Sequence, residues 1–138
     1  FHSNIENIWD KIQDIDTLRE ICKPKASFIA CDDSPIQWKE GKTFIFKMYL
    51  HGFLPVGRHT INVVKMDKTS REIDTKEYDN TVVIWNHYIK MEEISQQVTR
   101  YTDTVDLYAG CLTSIAAWWT LKFYKHRQRK WQKIAKSL

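Results

Sequence analysis

The sequence predicts an α+β fold: two short helices, an antiparallel meander of strands, and one long C-terminal helix. Three observations carry that prediction. Apolar residues in the first 22 positions recur at helical spacing, at Ile5, Ile8, Trp9 and Ile12. From Ala26 to Ala109 the apolar period changes to two. After Gly110 neither Gly nor Pro occurs before the end of the chain, and a helical period returns. A chain of 138 residues has the size of one domain and can bury a core, so residues 1–138 are expected to form a single unit.

Each element has a local reason. Ser3 and Glu6 have the spacing of a capping box ahead of the first helix. Thr17 and Glu20 repeat it before Leu18 and Ile21, and Lys23-Pro24 ends that second helix. Strands are expected over residues 26–31, 42–51, 58–66, 71–78, 82–93 and 96–109. In the second strand Phe44, Phe46, Met48 and Leu50 share a face. Residues 51–57, with apolar Phe53, Leu54 and Val56, read as an unusually apolar connecting loop. Asp67-Lys68-Thr69 and Asp79-Asn80 are turn signals. In the fifth strand Val83, Trp85, His87, Ile89 and Met91 point inward; in the sixth Tyr101, Asp103, Val105 and Leu107 share a face. Thr113 and Ser114 offer cap oxygens to the last helix, which places Leu112, Ala116, Trp119, Phe123 and Ile134 along one stripe. Clean alternation makes one sheet face dry and the other wet, and this helix is long enough to cover the dry one.

Composition excludes several classes. No apolar run approaches the ~20 residues that span a bilayer, and nothing reads as a signal peptide. Three cysteines without a CxxC spacing, Cys22, Cys31 and Cys111, predict a reduced, cytoplasmic protein with small buried or half-buried thiols. The net charge of +4 is uneven. Seven Lys and Arg lie from Lys122 onward with no acidic residue after Asp106, leaving 14 basic against 17 acidic residues, about −3, on the rest. A local basic stripe on a mildly acidic body is not the pattern of a dedicated nucleic-acid binder. Lys122, Lys125, Arg129 and Lys133 can make a transient contact with a membrane surface or an acidic partner, or simply form a solvated face that complements the helix dipole.

Register adds the most specific expectation. Centring the turn between strands three and four near Lys68 sets His59 opposite Glu77. Centring the next hairpin near Ile94-Ser95 sets His87 opposite Asp103. Both pairs fall on the dry face, with Thr75, Trp85 and Tyr101. A buried polar group without a partner costs ~1–3 kcal/mol, so an inner face bearing these residues suggests a cavity holding water or ligand.

The order helix–helix–meander–long helix resembles the helix-grip fold of the START-like (SRPBCC) superfamily. It is most similar to the polyketide cyclase/dehydrase and lipid-transport branch. The matching pieces are Ile8-Trp9, Pro35-Ile36-Gln37-Trp38 with Glu40-Gly41, Trp85-Asn86-His87, Tyr101-Thr102-Asp103 and Ala109-Gly110. The resemblance implies a curved sheet of six to seven strands around the last helix, with a hydrophobic cavity between them; it makes the loop with Phe53, Leu54 and Val56 a lid or portal beside that helix, the alternative being that the loop simply packs on it. The family carries a strand before the first helix, of which only Phe1-His2 corresponds here.

The expected function is therefore binding of a small hydrophobic ligand of lipid, polyketide or aromatic type. Phe44, Phe46, Met48, Ile61, Trp85, Trp119 and Phe123 would wall its apolar body, and His59, Glu77, His87, Tyr101 and Asp103 would orient its polar end. Arg127 or His126, at the edge of the apolar stripe, can close one end of the cavity and meet a ligand carboxylate, or pair with sheet-edge acids. The alternatives are a cyclase or dehydratase with a cavity histidine as base, and an interaction protein using the basic helix face. No HExxH, P-loop or Gly-rich dinucleotide motif occurs. No cofactor or metal is expected, the two histidine rows lying strands apart.

Overall fold

The computed structural model describes residues 1–31 and 37–138. The elements run α1 (Ile5–Ile12), α2 (Ile15–Cys22), β1 (Ala26–Ala30), β2 (Thr43–Leu50), β3 (Leu54–Asp67), β4 (Glu72–Tyr78), β5 (Ile84–Ser95) and β6 (Val98–Tyr108). A 3-10 turn, Gly110–Leu112, then leads into α3 (Thr113–Ala135). The six strands form one antiparallel sheet in chain order, β1 to β6. The α+β meander agrees with the alternation of the sequence. Of the residues that carried the family resemblance, Pro35 and Ile36 lie outside the described residues.

Helix starts differ from the capping-box expectation. Asn4 caps α1 by accepting from Asn7 N (2.9 Å), while Ser3 is buried one residue earlier. Asp14 caps α2 by accepting from Asp16 N (3.0 Å). Thr17 lies inside that helix and donates its hydroxyl to Lys11 O (2.8 Å). In both cases a short Asx side chain sits closer to the orphan N–H groups than the Ser or Thr of the box. Thr113 is likewise not a cap. Its hydroxyl accepts from Ala109 N (3.0 Å) and donates to Gly110 O (2.7 Å), closing the turn before α3.

The β2–β3 connection is tighter than a seven-residue loop. His51, Gly52 and Phe53 make the turn, and Leu54 already belongs to β3. Met48 pairs with Gly57 and Tyr49 with Pro55, so Val56 is an extra residue in a bulge. Gly57 supplies the positive φ of 86° there. Residues 54–57 are thus sheet, not a free lid.

The inner face buries Phe44, Phe46 and Met48 of β2, His59, Ile61 and Val63 of β3, Ile73 and Thr75 of β4, Trp85, His87, Ile89 and Met91 of β5, and Tyr101 of β6. Val83, expected among them, is exposed because β5 begins one residue later. The outer face is charged. Glu72 accepts from Lys65, Lys90 and Tyr88 there, and these bonds hold its carboxyl far below the usual range.

All three helices cover the inner face, α1 through Ile8, Trp9 and Ile12. α3, 23 residues and ~35 Å long, buries Thr120, Phe123, Tyr124, Arg127, Trp131 and Ala135. This stripe is rotated from the expected one: Leu112 is exposed, Ala116, Trp119 and Ile134 are half-buried, and a guanidinium lies in the middle. α2 packs beside α3 and contributes Leu18 and Ile21 to the interior. On its free side β6 meets Phe1, which exchanges both backbone bonds with Thr99 (2.7 and 2.9 Å). Cys22 is buried, but Cys31 and Cys111 are exposed, contrary to their expected role as fillers. Among the described residues no helix is long and apolar enough to cross a membrane.

Candidate functional site

β3, β4 and β5 bring a row of polar side chains into the apolar interior. His59 Nε2 meets Glu77 Oε1 at 2.8 Å, and its Nδ1 meets Asp79 Oδ2 at 3.1 Å. Thr75 donates to Glu77 Oε2 (2.6 Å), and His87 Nδ1 stands 3.9 Å from the same oxygen. His87 Nε2 meets Asp103 Oδ1 (2.7 Å), and Gln128 of α3 donates to Asp103 Oδ2 (2.6 Å). The row therefore runs Asp79, His59, Glu77, His87, Asp103, Gln128 across four strands and onto the helix.

Both expected histidine–carboxylate pairs exist, but not as directly opposed residues. Glu77 pairs with Ile61, and Asp103 with Ile89. Each histidine reaches its acid diagonally, two residues along, within range for long side chains on one sheet face. A bulge between Val63 and Lys65 and a later turn centre displace the β3–β4 register. For β5–β6 the turn falls at Gln96-Gln97 rather than Ile94-Ser95.

Asp79 was read only as a turn residue and is in fact part of the site. Its Oδ1 accepts from Thr81 N (2.8 Å) and Val82 N (2.7 Å), as a turn aspartate does, which leaves Oδ2 for His59.

Electrostatics follow from these bonds. Burial by itself lowers the His59 pKa. The hydrogen bonds to Asp79 and Glu77, and their charges, outweigh it and raise the pKa to about 9. Burial pushes the three acids up, yet each ends below its ordinary value. For Glu77 the His59 bond and both imidazoles prevail; for Asp79 the His59 bond and two backbone N–H groups; for Asp103 the His87 bond and the Arg127 charge. At neutral pH His59 is thus an imidazolium clamped between two carboxylates, with neither nitrogen free.

Beside this row lies a half-open cavity of about 70 Å³. His59, Glu77, Thr75, Trp85, Phe123, Tyr124 and Arg127 line it, with Ile12, Leu18 and Ile21 from α1 and α2. A second, almost wholly apolar chamber of about 260 Å³ opens toward the surface between β2, β3 and the start of α3. Leu50, Val56, Val82, Leu112, Ala116 and Trp119 wall it, and Met48 and Trp85 are common to both chambers. Trp85 donates to Tyr124 Oη at 3.3 Å and stands edge-on to His59, with ring centroids 5.6 Å apart.

The expected site residues divide accordingly. His59, Glu77, Trp85 and Phe123 meet at the inner chamber, and Trp119, stacked on Phe123 at 4.8 Å, lines the outer one. Asp103 and Tyr101 instead face shallow clefts between β6 and α3, and His87 is buried behind Tyr124 with ring centroids 5.0 Å apart. Phe44 and Phe46, expected as cavity walls, pack solidly against Trp38 and Phe28. His126 lies outside, bonded to Lys23 O (2.7 Å).

Arg127, expected at the edge of the apolar stripe to close the cavity or pair with sheet-edge acids, lies deeper than that. It is 7% exposed, lies against the rings of Tyr124 (4.6 Å) and Phe123 (5.8 Å), and its buried Nε has no hydrogen-bond partner among the described residues. Burial lowers its pKa, but Tyr124, Cys22 and Asp103 raise it further, so it keeps its charge. The Tyr101 hydroxyl and Trp131 Nε1 are also buried without partners. Among the described residues no group of three or more His, Cys, Asp or Glu has metal-binding geometry. The chain matches no family model, no curated protein and no solved structure.

Proposed function

We propose that the protein binds a small hydrophobic molecule with a polar end, held between the sheet and α3 as in the START-like helix-grip architecture that the sequence resembles. The observation that carries this reading is the pair of neighbouring chambers sharing Met48 and Trp85, one almost wholly apolar, the other edged by charge. Together they reach the lower end of small-molecule pockets, ~300 Å³. A chain that needed only a core would fill this space with Val and Ile. The exposed free thiols of Cys31 and Cys111 support a reducing, cytoplasmic setting. The basic outer face of α3, with Lys122, Lys125, Arg129 and Lys133, is the proposed contact for an anionic surface during loading or delivery.

The cyclase or dehydratase alternative needs a basic histidine facing the ligand. His59 has both nitrogens engaged and carries a proton at neutral pH, so a base role there is disfavoured and carriage is preferred.

Native mass spectrometry of protein purified from cells tests the reading. A non-covalent small-molecule adduct, lost on denaturation, is expected. Adduct-free protein whose Trp85 and Phe123 NMR signals ignore a panel of amphiphiles would overturn it.

A further inference from the structure

We infer that the polar end of the bound molecule is a carboxylate, and that Arg127 is the residue that receives it. This rests on the ligand-binding reading above and narrows it to a class: narrow monocarboxylic acids with an apolar body.

The argument is one of satisfaction. Each described carboxylate of the polar row beside the inner chamber already has donors. His59 and Thr75 serve Glu77, His59 and the 79–82 turn serve Asp79, and His87 and Gln128 serve Asp103. His59 is engaged in these bonds through both nitrogens, and His87 through Nε2. The guanidinium of Arg127 lines the same chamber, and its buried Nε–H meets no acceptor. The aromatic faces beneath it stabilise the charge but accept no conventional hydrogen bond from Nε. An unpaired buried cation is costly, and a planar guanidinium offers the donor fork that matches a carboxylate. A ligand carboxylate satisfies it where no group among the described residues does. The inner chamber, about 70 Å³, has room for such a head and little more. The apolar body must then pass Met48 and Trp85 into the larger chamber, which suits a chain or a single narrow ring system.

Isothermal titration with decanoic acid, decan-1-ol and methyl decanoate tests this on the full chain. The acid is expected to bind wild type at least tenfold more tightly than the alcohol or the ester. Arg127→Met should erase that preference while leaving alcohol binding in place, and Arg127→Lys should restore part of it. Equal binding of acid and alcohol to wild type would overturn the carboxylate assignment and leave the cavity reading standing. No binding of any of the three would overturn both. The comparison of ligands on wild type does not depend on how well the variants fold.

Discussion

On the sheet side of the inner chamber, His59 makes two carboxylate bonds, and each of those carboxylates has further donors. On the helix side, a few residues' width away, Arg127 lies equally deep with an Nε–H that meets nothing. Both are charges inside an apolar wall, yet their bonding differs. A polar group whose partners are all supplied by the chain holds the fold together. One whose partner is missing is suited to something that arrives later.

Glu77→Ala should break the comparison most visibly. It strips His59 and Thr75 of a shared acceptor and leaves a buried imidazolium half paired, a loss of about 3–5 kcal/mol in urea unfolding. Arg127→Met, by contrast, removes an unpaired buried charge while keeping most of the stem volume. Its stability should stay within about 1 kcal/mol of wild type or rise. Equal losses in the two variants would erase the distinction between the two sides.

The pH profile sharpens the sheet side. His59 has a folded pKa of about 9, above its ordinary 6.5. Its contribution is fully present below 6.5 and is lost as pH rises through 9. Wild type should lose about 2–3 kcal/mol over that window, and His59→Gln should flatten the alkaline arm. Glu77 and Asp79 are held below their ordinary values, so their contribution is present above ~4 and fades as pH falls further.

Asp79→Asn separates the two duties of one carboxylate. The amide oxygen can still close the 79–82 turn, but the charge facing His59 is gone. A loss of about 1–2 kcal/mol is expected, with the alkaline arm of the stability curve moved to lower pH. The smallest effect belongs to Lys125→Glu with Arg129→Glu on the outer face of α3, within about 0.5 kcal/mol by thermal unfolding. If that face meets an anionic surface, the same pair should weaken co-sedimentation with phosphatidylserine vesicles.

Alternation made the sheet readable from sequence, because a period of two follows directly from the pleat. Both histidine–carboxylate pairs were readable for the same reason, even though the registers were two residues off. A diagonal neighbour on the same face is still close enough to bond. Less well placed were groups whose sequence context argues for another role. Asp79 sits in a turn, which accounts for it fully until its second oxygen is considered. Arg127 belongs to a basic run, so helical periodicity places its charge at the edge of the stripe. Only the rotation that buries Tyr124 and Trp131 carries it inside. The helix caps were missed by one residue at α1 and three at α2 because Asn4 and Asp14 compete for the same orphan amides as Ser3 and Thr17.

Trp85 stands in the wall common to both chambers, its indole tied to Tyr124. A molecule held across both chambers, as proposed, would have to pass that ring. Exchange should then be slow in both directions at a given affinity, and a smaller side chain at this position should quicken arrival and departure together. Residence time would be set by a turnstile, not by grip.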